Sequence, residues 1–135
     1  MARTVQEEFW QGEFGNDYAE RNKSKALLAS NVSFFSKIFA RTGKVKSVIE
    51  FGCNVGVNLK AIDILQPNVK LAGIEINHEA VAELQAWQRE VEIIEGSILE
   101  IEPPRKYDMA LIKGVLIHIN PEYLQNVYQK LYDAS

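Results

Sequence analysis

The sequence predicts an α/β fold, a Rossmann-like parallel sheet flanked by helices, and three observations carry that expectation. Four short, near-continuously apolar runs, Val45–Phe51, Leu71–Ile76, Val91–Glu95 and Tyr107–Lys113, have the length and β-branched content of strands. Longer stretches with the three- and four-residue apolar spacing of helices separate them, which is the pattern of right-handed βαβ crossovers and a sheet covered on both faces. The first run leaves through a Gly-containing polar turn, and in open α/β sheets a ligand lies beyond the carboxyl ends of the strands, where chain order reverses. The first strand is therefore expected at the centre.

In chain order, residues 1–23 read as a loosely helical arm or lid carrying the spaced aromatics Phe9, Trp10, Phe14 and Tyr18, and residues 24–135 as the domain body. Ser24 reads as an N-cap before a helix with Leu28, Val32, Phe35 and Phe39 on one face, ending near Gly43. After the first strand, Leu59 and Ile62 line a second helix, and Pro67-Asn68 interrupts before the second strand. A third helix places Ala80, Leu84 and Trp87 on one side. Pro103 and Pro104 mark a loop, since proline lacks an amide donor and biases its predecessor toward extended backbone. Asn120 and Pro121 form a cap and first-turn pair for a last helix with Leu124, Val127, Tyr128 and Leu131 inward.

Composition narrows the function. A chain of 135 residues, 47% hydrophobic and 24% charged, suits one water-soluble domain. Fifteen basic against eighteen acidic residues give a net charge of −3, without the basic excess of a nucleic-acid binder, so no nucleic-acid partner is expected. The single cysteine cannot close an internal disulfide, and no Cys/His cluster has zinc-site spacing, so no metal is expected. Arg3, Glu7, Glu8 and Glu13 interrupt the start of the chain, and no apolar run approaches the roughly 20 residues that span a bilayer. A reducing cytoplasm, away from membranes, is the expected location.

The exit of the first strand reads Glu50-Phe51-Gly52-Cys53-Asn54-Val55-Gly56-Val57-Asn58. A dinucleotide fingerprint would require glycine at position 57, which is valine. A carboxylate at Glu50 suits an ammonium or sulfonium and repels a pyrophosphate, so a nicotinamide-binding oxidoreductase is disfavoured. Gly52 and Gly56 either cradle a ligand or simply form a tight strand-to-helix turn. Glu75, followed by Ile76, ends the second strand; a carboxylate there can accept both hydroxyls of a ribose, the alternative being a solvated strand-end acid. Cys53 reads as a small packing residue, with no neighbour that would lower its pKa.

The Glu50–Gly56 segment resembles the first motif of class I S-adenosylmethionine-dependent methyltransferases, an acid, any residue, then alternating glycines, with Asn54 replacing the middle glycine. Asparagine tolerates left-handed backbone better than most residues. Together with Phe9-Trp10-Gln11-Gly12-Glu13-Phe14-Gly15, Tyr18, Arg21-Asn22 and the stretch Lys113 to Pro121, the chain from Phe9 onward looks like the pseudaminic acid biosynthesis-associated methylases, where asparagine at this position would be typical.

The resemblance implies S-adenosylmethionine as cofactor, with S-adenosylhomocysteine as its product, and a small-molecule acceptor methylated on oxygen or nitrogen, a nonulosonate-type sugar or its precursor. Its cofactor residues would be Glu50, Gly52, Asn54 and Gly56 in the loop and Glu75 with Ile76 at the ribose. Gly96-Ser97-Ile98 falls where relatives place an aspartate on the adenine amino group; Ser97 offers a weaker oxygen acceptor, and Ile98 packs either on the ring or in the core. Arg21 could pair with the cofactor's carboxylate and Tyr18 close over it, or both could simply cover the surface. Lys113 could offer its backbone carbonyl to the ammonium, its side chain being solvated. His118 would be either the proton acceptor from the attacking group or a histidine hydrogen-bonded beside the last helix.

The resemblance also implies a seven-stranded fold of which the last three strands are expected to be missing, leaving the order 3-2-1-4. A non-catalytic cofactor-binding or assembly module is the alternative function. With strand four at an edge, Met109-Ala110-Leu111-Ile112 and the last helix are expected to mediate a homodimer.

Overall fold

The computed structural model describes residues 4–12, 25–115 and 119–135. The expectations for Phe14, Tyr18, Arg21, Ser24 and His118 lie outside the described residues. Helix α1 covers Val5–Gln11, α2 Lys25–Thr42, α3 Val57–Leu65, α4 His78–Gln85 and α5 Leu124–Ala134, the last preceded by a 3₁₀ turn at Pro121–Tyr123. Strands β1 Ser47–Phe51, β2 Lys70–Glu75, β3 Val91–Glu95 and β4 Met109–Ile112 form one parallel sheet in the order β3-β2-β1-β4.

Strand alternation divides the core. Val48 and Leu71 point to the face covered by α2, α3 and α4, where they meet Phe35, Phe39, Leu59, Ile62 and Leu84. Ile49, Phe51, Ala72 and Ile74 point to the other face, against Ile98, Leu99, Tyr107, Val127 and Ala134. The two central strands are buried almost throughout, whereas β3 and β4 are half-exposed, as expected of edges.

Three expected boundaries shift for identifiable reasons. Strand β1 begins at Ser47 rather than Val45, whose amide is taken by the Gln66 side chain. Strand β2 ends at Glu75, one residue short of Ile76, where the backbone turns toward the cap of α4. Strand β4 starts at Met109 rather than Tyr107: the Tyr107 amide donates to Ala134 at the end of α5, and Asp108 is held by Lys46 and Ser47.

The inward stripe of α5 is also different. Tyr128 is half-exposed and points away from the core. Val127 is buried as expected, joined by Lys130 and Ala134 at the helical spacing of three and four. Lys130 is tolerated there because its ammonium donates to the Ile101 carbonyl at 2.8 Å and lies 3.4 Å from Glu102. Trp87 falls beyond the end of α4 and stays half-buried, with the Lys60 ammonium 5.6 Å from its ring centroid.

The glycine punctuation is as the sequence required. Gly43 ends α2 in the left-handed region, at φ 75°, its amide donating to Phe39. Gly56 is the N-cap of α3 at φ 84°, and a Cβ there would collide with the Leu84 side chain. Gly56→Ala is therefore expected to lower the unfolding free energy by roughly 2–4 kcal/mol, combining left-handed strain with overpacking. Urea denaturation measures this, and a variant as stable as the parent would contradict the turn geometry.

Candidate functional site

The candidate site is a cleft at the carboxyl ends of the strands, where β1 exits through Gly52–Asn54, β2 through Glu75–Asn77, β3 through Gly96–Ile98 and β4 through Lys113–Val115. Helices α1 and α2 close it from outside the sheet with Gln6, Glu7 and Asn31. The β1 exit comes close to Val115 because Gly52 lacks a side chain: it sits at φ 75°, and a Cβ there would lie 2.7 Å from Val115. The Gly52 and Cys53 amides both donate to the Ile74 carbonyl, at 2.8 and 3.1 Å. Asn54 is left-handed, at φ 52°, and its own side-chain oxygen accepts from the Val55 amide at 2.7 Å.

Glu75 organises the middle of the cleft. One carboxylate oxygen accepts from the Asn54 amide and the other from the Asn77 amide, both at 2.8 Å. Burial pushes its pKa up, and these backbone donors oppose the rise. The Ile76 amide adds to these donors, and because a carboxylate oxygen accepts more than one hydrogen, the group can in principle receive a diol beside its backbone bonds.

Glu50, expected to face the ligand, lies fully buried behind the cleft lining. Asn58 stands on the cleft side, donating to Glu50 Oε2 at 2.6 Å while its own oxygen accepts from Asn31 at 2.8 Å. Glu50 Oε1 has no hydrogen-bond partner. Burial raises the Glu50 pKa to about 8; the Asn58 bond and Lys113 oppose this, and the nearby Glu75 charge adds to it. Cys53 is buried against Gly73, its thiol pushed well above the usual range by burial, which agrees with packing and disfavours a nucleophile.

At the β3 end, the Ser97 hydroxyl donates to the Glu7 carboxylate and accepts from the Leu99 amide at 3.0 Å. Ile98 is buried in the core on the face with Val127 and also lines the cleft. Lys113 is exposed at the rim, its ammonium 5.4 Å from the centroid of the Phe34 ring. Ile76 lines the cleft directly after Glu75.

Sequence reasoning missed Glu7, Gln6, Asn31, Asn58 and Asn77. Signals for most were present. Thr4-Val5-Gln6-Glu7 is a capping box, and its reciprocal bonds form at 3.1 and 3.2 Å. Asn31 and Asn58 each sit on the apolar stripe of a helix, where a polar residue asks for a buried partner. Asn77 caps α4 by accepting from the Ala80 amide and donates to the Gln11 carbonyl, which pins α1 over the cleft. Among the described residues no group of three or more His, Cys, Asp or Glu is arranged to hold a metal ion, and no helix is long and apolar enough to cross a membrane.

A family model described as a methyltransferase domain matches residues 18–134. No curated protein matches the sequence. Among solved structures, the magnesium protoporphyrin IX methyltransferase ChlM from Synechocystis PCC 6803, with bound S-adenosylmethionine, superposes with a TM-score of 0.77 at 14% identity, covering 100% of this chain and 74% of that one. The plantazolicin methyltransferase BpumL, in complex with a substrate analogue and S-adenosylhomocysteine, gives 0.66 at 21% identity, covering 89% and 46%. The glycopeptide N-methyltransferase MtfA gives 0.65 at 13% identity, covering 77% and 52%. The chain thus spans about half the length of two of these three. Identities this low speak for the fold alone: the four-stranded arrangement matches the corresponding part of the methyltransferase fold.

The buried Glu50 makes a prediction about pH. Its folded pKa of about 8 lies above the ordinary 4.5, so between these values the native state holds a proton that the unfolded chain has released. Stability is therefore highest below the ordinary value and falls as pH rises toward 8, by up to about 1.4 kcal/mol per pH unit for one proton. Glu75, also raised, acts in the same direction. Thermal melts of Glu50→Gln should show a shallower fall in Tm across this window than the parent; an identical slope would contradict a protonated Glu50.

Proposed function

The chain belongs to the methyltransferase-domain family, and from that premise we propose that its cleft holds S-adenosylmethionine and that the protein transfers the methyl group to an oxygen or nitrogen of a small molecule. The observation that carries this reading is the strand-end carboxylate Glu75, which lines the cleft with its two oxygens held by the Asn54 and Asn77 amides, beside the close turn at Gly52.

The residues present fit such a cofactor. Glu75 accepts the ribose hydroxyls, Gly52 and Asn54 admit the chain next to the backbone, and Ile76 and Ile98 supply apolar cover for the base. The Oε1 of Glu50 has no partner inside the protein, and Asn58 and Asn31, linked in series to its other oxygen, line the cleft. That trio suits an ammonium, received by the asparagine oxygens directly and by Glu50 through them. When bound, the cofactor supplies a methyl group on a sulfonium, an electrophile with a good leaving group. What remains for the protein is to align, to hold both ends of the ligand and to exclude water. Helix α1, laid over the cleft by the Glu7–Ser97 and Asn77–Gln11 contacts, serves the last purpose.

Finer parts of the reading rest on the sequence motifs. Arg21 and Tyr18 hold the cofactor's carboxylate, Lys113 contributes at the ammonium, and His118 takes the proton of the attacking group. The acceptor is a nonulosonate-type sugar or precursor, inferred from the Phe9–Gly15 and Lys113–Pro121 stretches. The cytoplasm is the proposed location, and the half-exposed β4 edge with Tyr128 and Tyr132 of α5 the proposed surface for a homodimer.

Calorimetry with S-adenosylhomocysteine and mass spectrometry of labelled-methyl transfer to a panel of sugars and nucleotide sugars test the reading together. Saturable binding with a methylated product is expected. Binding without any product supports the non-catalytic module instead, and failure to bind the nucleoside overturns the assignment of the cleft.

A further inference from the structure

Helix α1 brings two oxygen acceptors to one wall of the cleft. Glu7 is buried, and its carboxylate is oriented twice: Oε1 accepts from the Thr4 amide, and Oε2 from the Ser97 hydroxyl at the end of β3. A carboxylate oxygen accepts more than one hydrogen, so both retain capacity. Gln6, the next residue on the same wall, buries its side-chain oxygen without any donor. The hydroxyl proton of Ser97 is committed to Glu7, and the residues of the β3 exit that line the cleft, Gly96, Ser97 and Ile98, carry no side-chain carboxylate or carboxamide.

We propose that α1 carries the base selectivity of the cleft, with Glu7 and Gln6 accepting hydrogens from the exocyclic amine of a 6-aminopurine. The inference rests on the reading that the cleft binds S-adenosylmethionine. With the ribose on Glu75 and the Gly52 loop on the β1 side, the base extends the other way, toward the neighbouring strand β3. There it meets Ile98, Ser97 and, across them, Glu7. Glu7 offers acceptors alone and Gln6 an oxygen that no donor inside the protein serves, so the pair favours a donor edge: a 6-amino group satisfies it, whereas a 6-oxo group sets oxygen against a carboxylate. Closure and recognition are then one event, because the residues that read the base sit on the element that covers it.

The test is calorimetric titration of the full chain with S-adenosylhomocysteine and with S-inosylhomocysteine, its 6-oxo counterpart. The parent should favour the amino compound by about tenfold or more, the size expected for hydrogen bonds to a charged group. Glu7→Gln keeps an oxygen for the Thr4 amide but adds an amide donor, so the preference should shrink to within about threefold, chiefly through better binding of the 6-oxo compound. Gln6→Leu leaves the capping box intact and should also narrow the ratio, which keeps the proposal testable if Glu7→Gln displaces α1. A ratio unchanged in both variants, with S-adenosylhomocysteine still bound, overturns the role of α1 alone. Failure of the parent to bind either ligand overturns the reading of the cleft itself.

Discussion

Two backbone amides converge on the carboxylate of Glu75, and most of the cleft depends on that convergence. The Asn54 amide fixes the loop after β1 and the Asn77 amide fixes the turn after β2. Fixing Asn54 sets the loop whose alternate left-handed residues, Gly52, Asn54 and Gly56, lead into α3. Fixing Asn77 sets the cap of α4, and the Asn77 amide nitrogen in turn holds the end of α1. One side chain thereby positions three helices around the carboxyl ends of β1 and β2. An acid is suited to this because it accepts at both oxygens and, unlike a carboxamide, presents no hydrogen against either amide.

The same arrangement costs stability. Glu50 and Glu75 lie at the ends of adjacent strands in a nearly dry interior, where burial and mutual repulsion both oppose ionisation. The fold manages this unequally. Glu75 takes backbone donors, whereas Glu50 takes one asparagine donor and stays largely protonated at neutral pH. A sheet built only for stability would place apolar residues at both positions, as it does at Val48 and Leu71. Retaining two acids there makes sense if a ligand supplies what the protein withholds, a cationic group near one and hydroxyls for the other.

How much of this was legible in the sequence follows from the range of the interactions. The four strands and the glycine turn could be read because each depends on local period or on a positive φ that few residues tolerate, as at Gly52, Asn54 and Gly56, whereas the strand order, a non-local property, came with the family resemblance. Boundaries slipped where a distant partner intervened: Tyr107 looks like strand but gives its amide to Ala134. Tyr128 faces outward and Lys130 inward because the Ile101 carbonyl, far away in sequence, satisfies the lysine. Glu50 and Glu75 were identifiable as strand-end acids, yet only the packing reveals that one lines the cleft while the other works from behind Asn58. The Glu7–Ser97 contact joins residues whose separation in the chain spans most of the domain, and no local pattern announces such a pair.

Glu75 thus has two tasks for one carboxylate, to fasten the loops through their backbone amides and to receive a diol. The most direct measurement compares, by calorimetry on the same protein, S-adenosylhomocysteine with its 2′-deoxy analogue, which removes one hydroxyl and leaves the loops untouched. The account predicts that the deoxy compound binds about tenfold more weakly, the loss of one hydrogen bond to a charged group. Equal affinities would contradict it, and Glu75 would then be a fastening for the loops and nothing more.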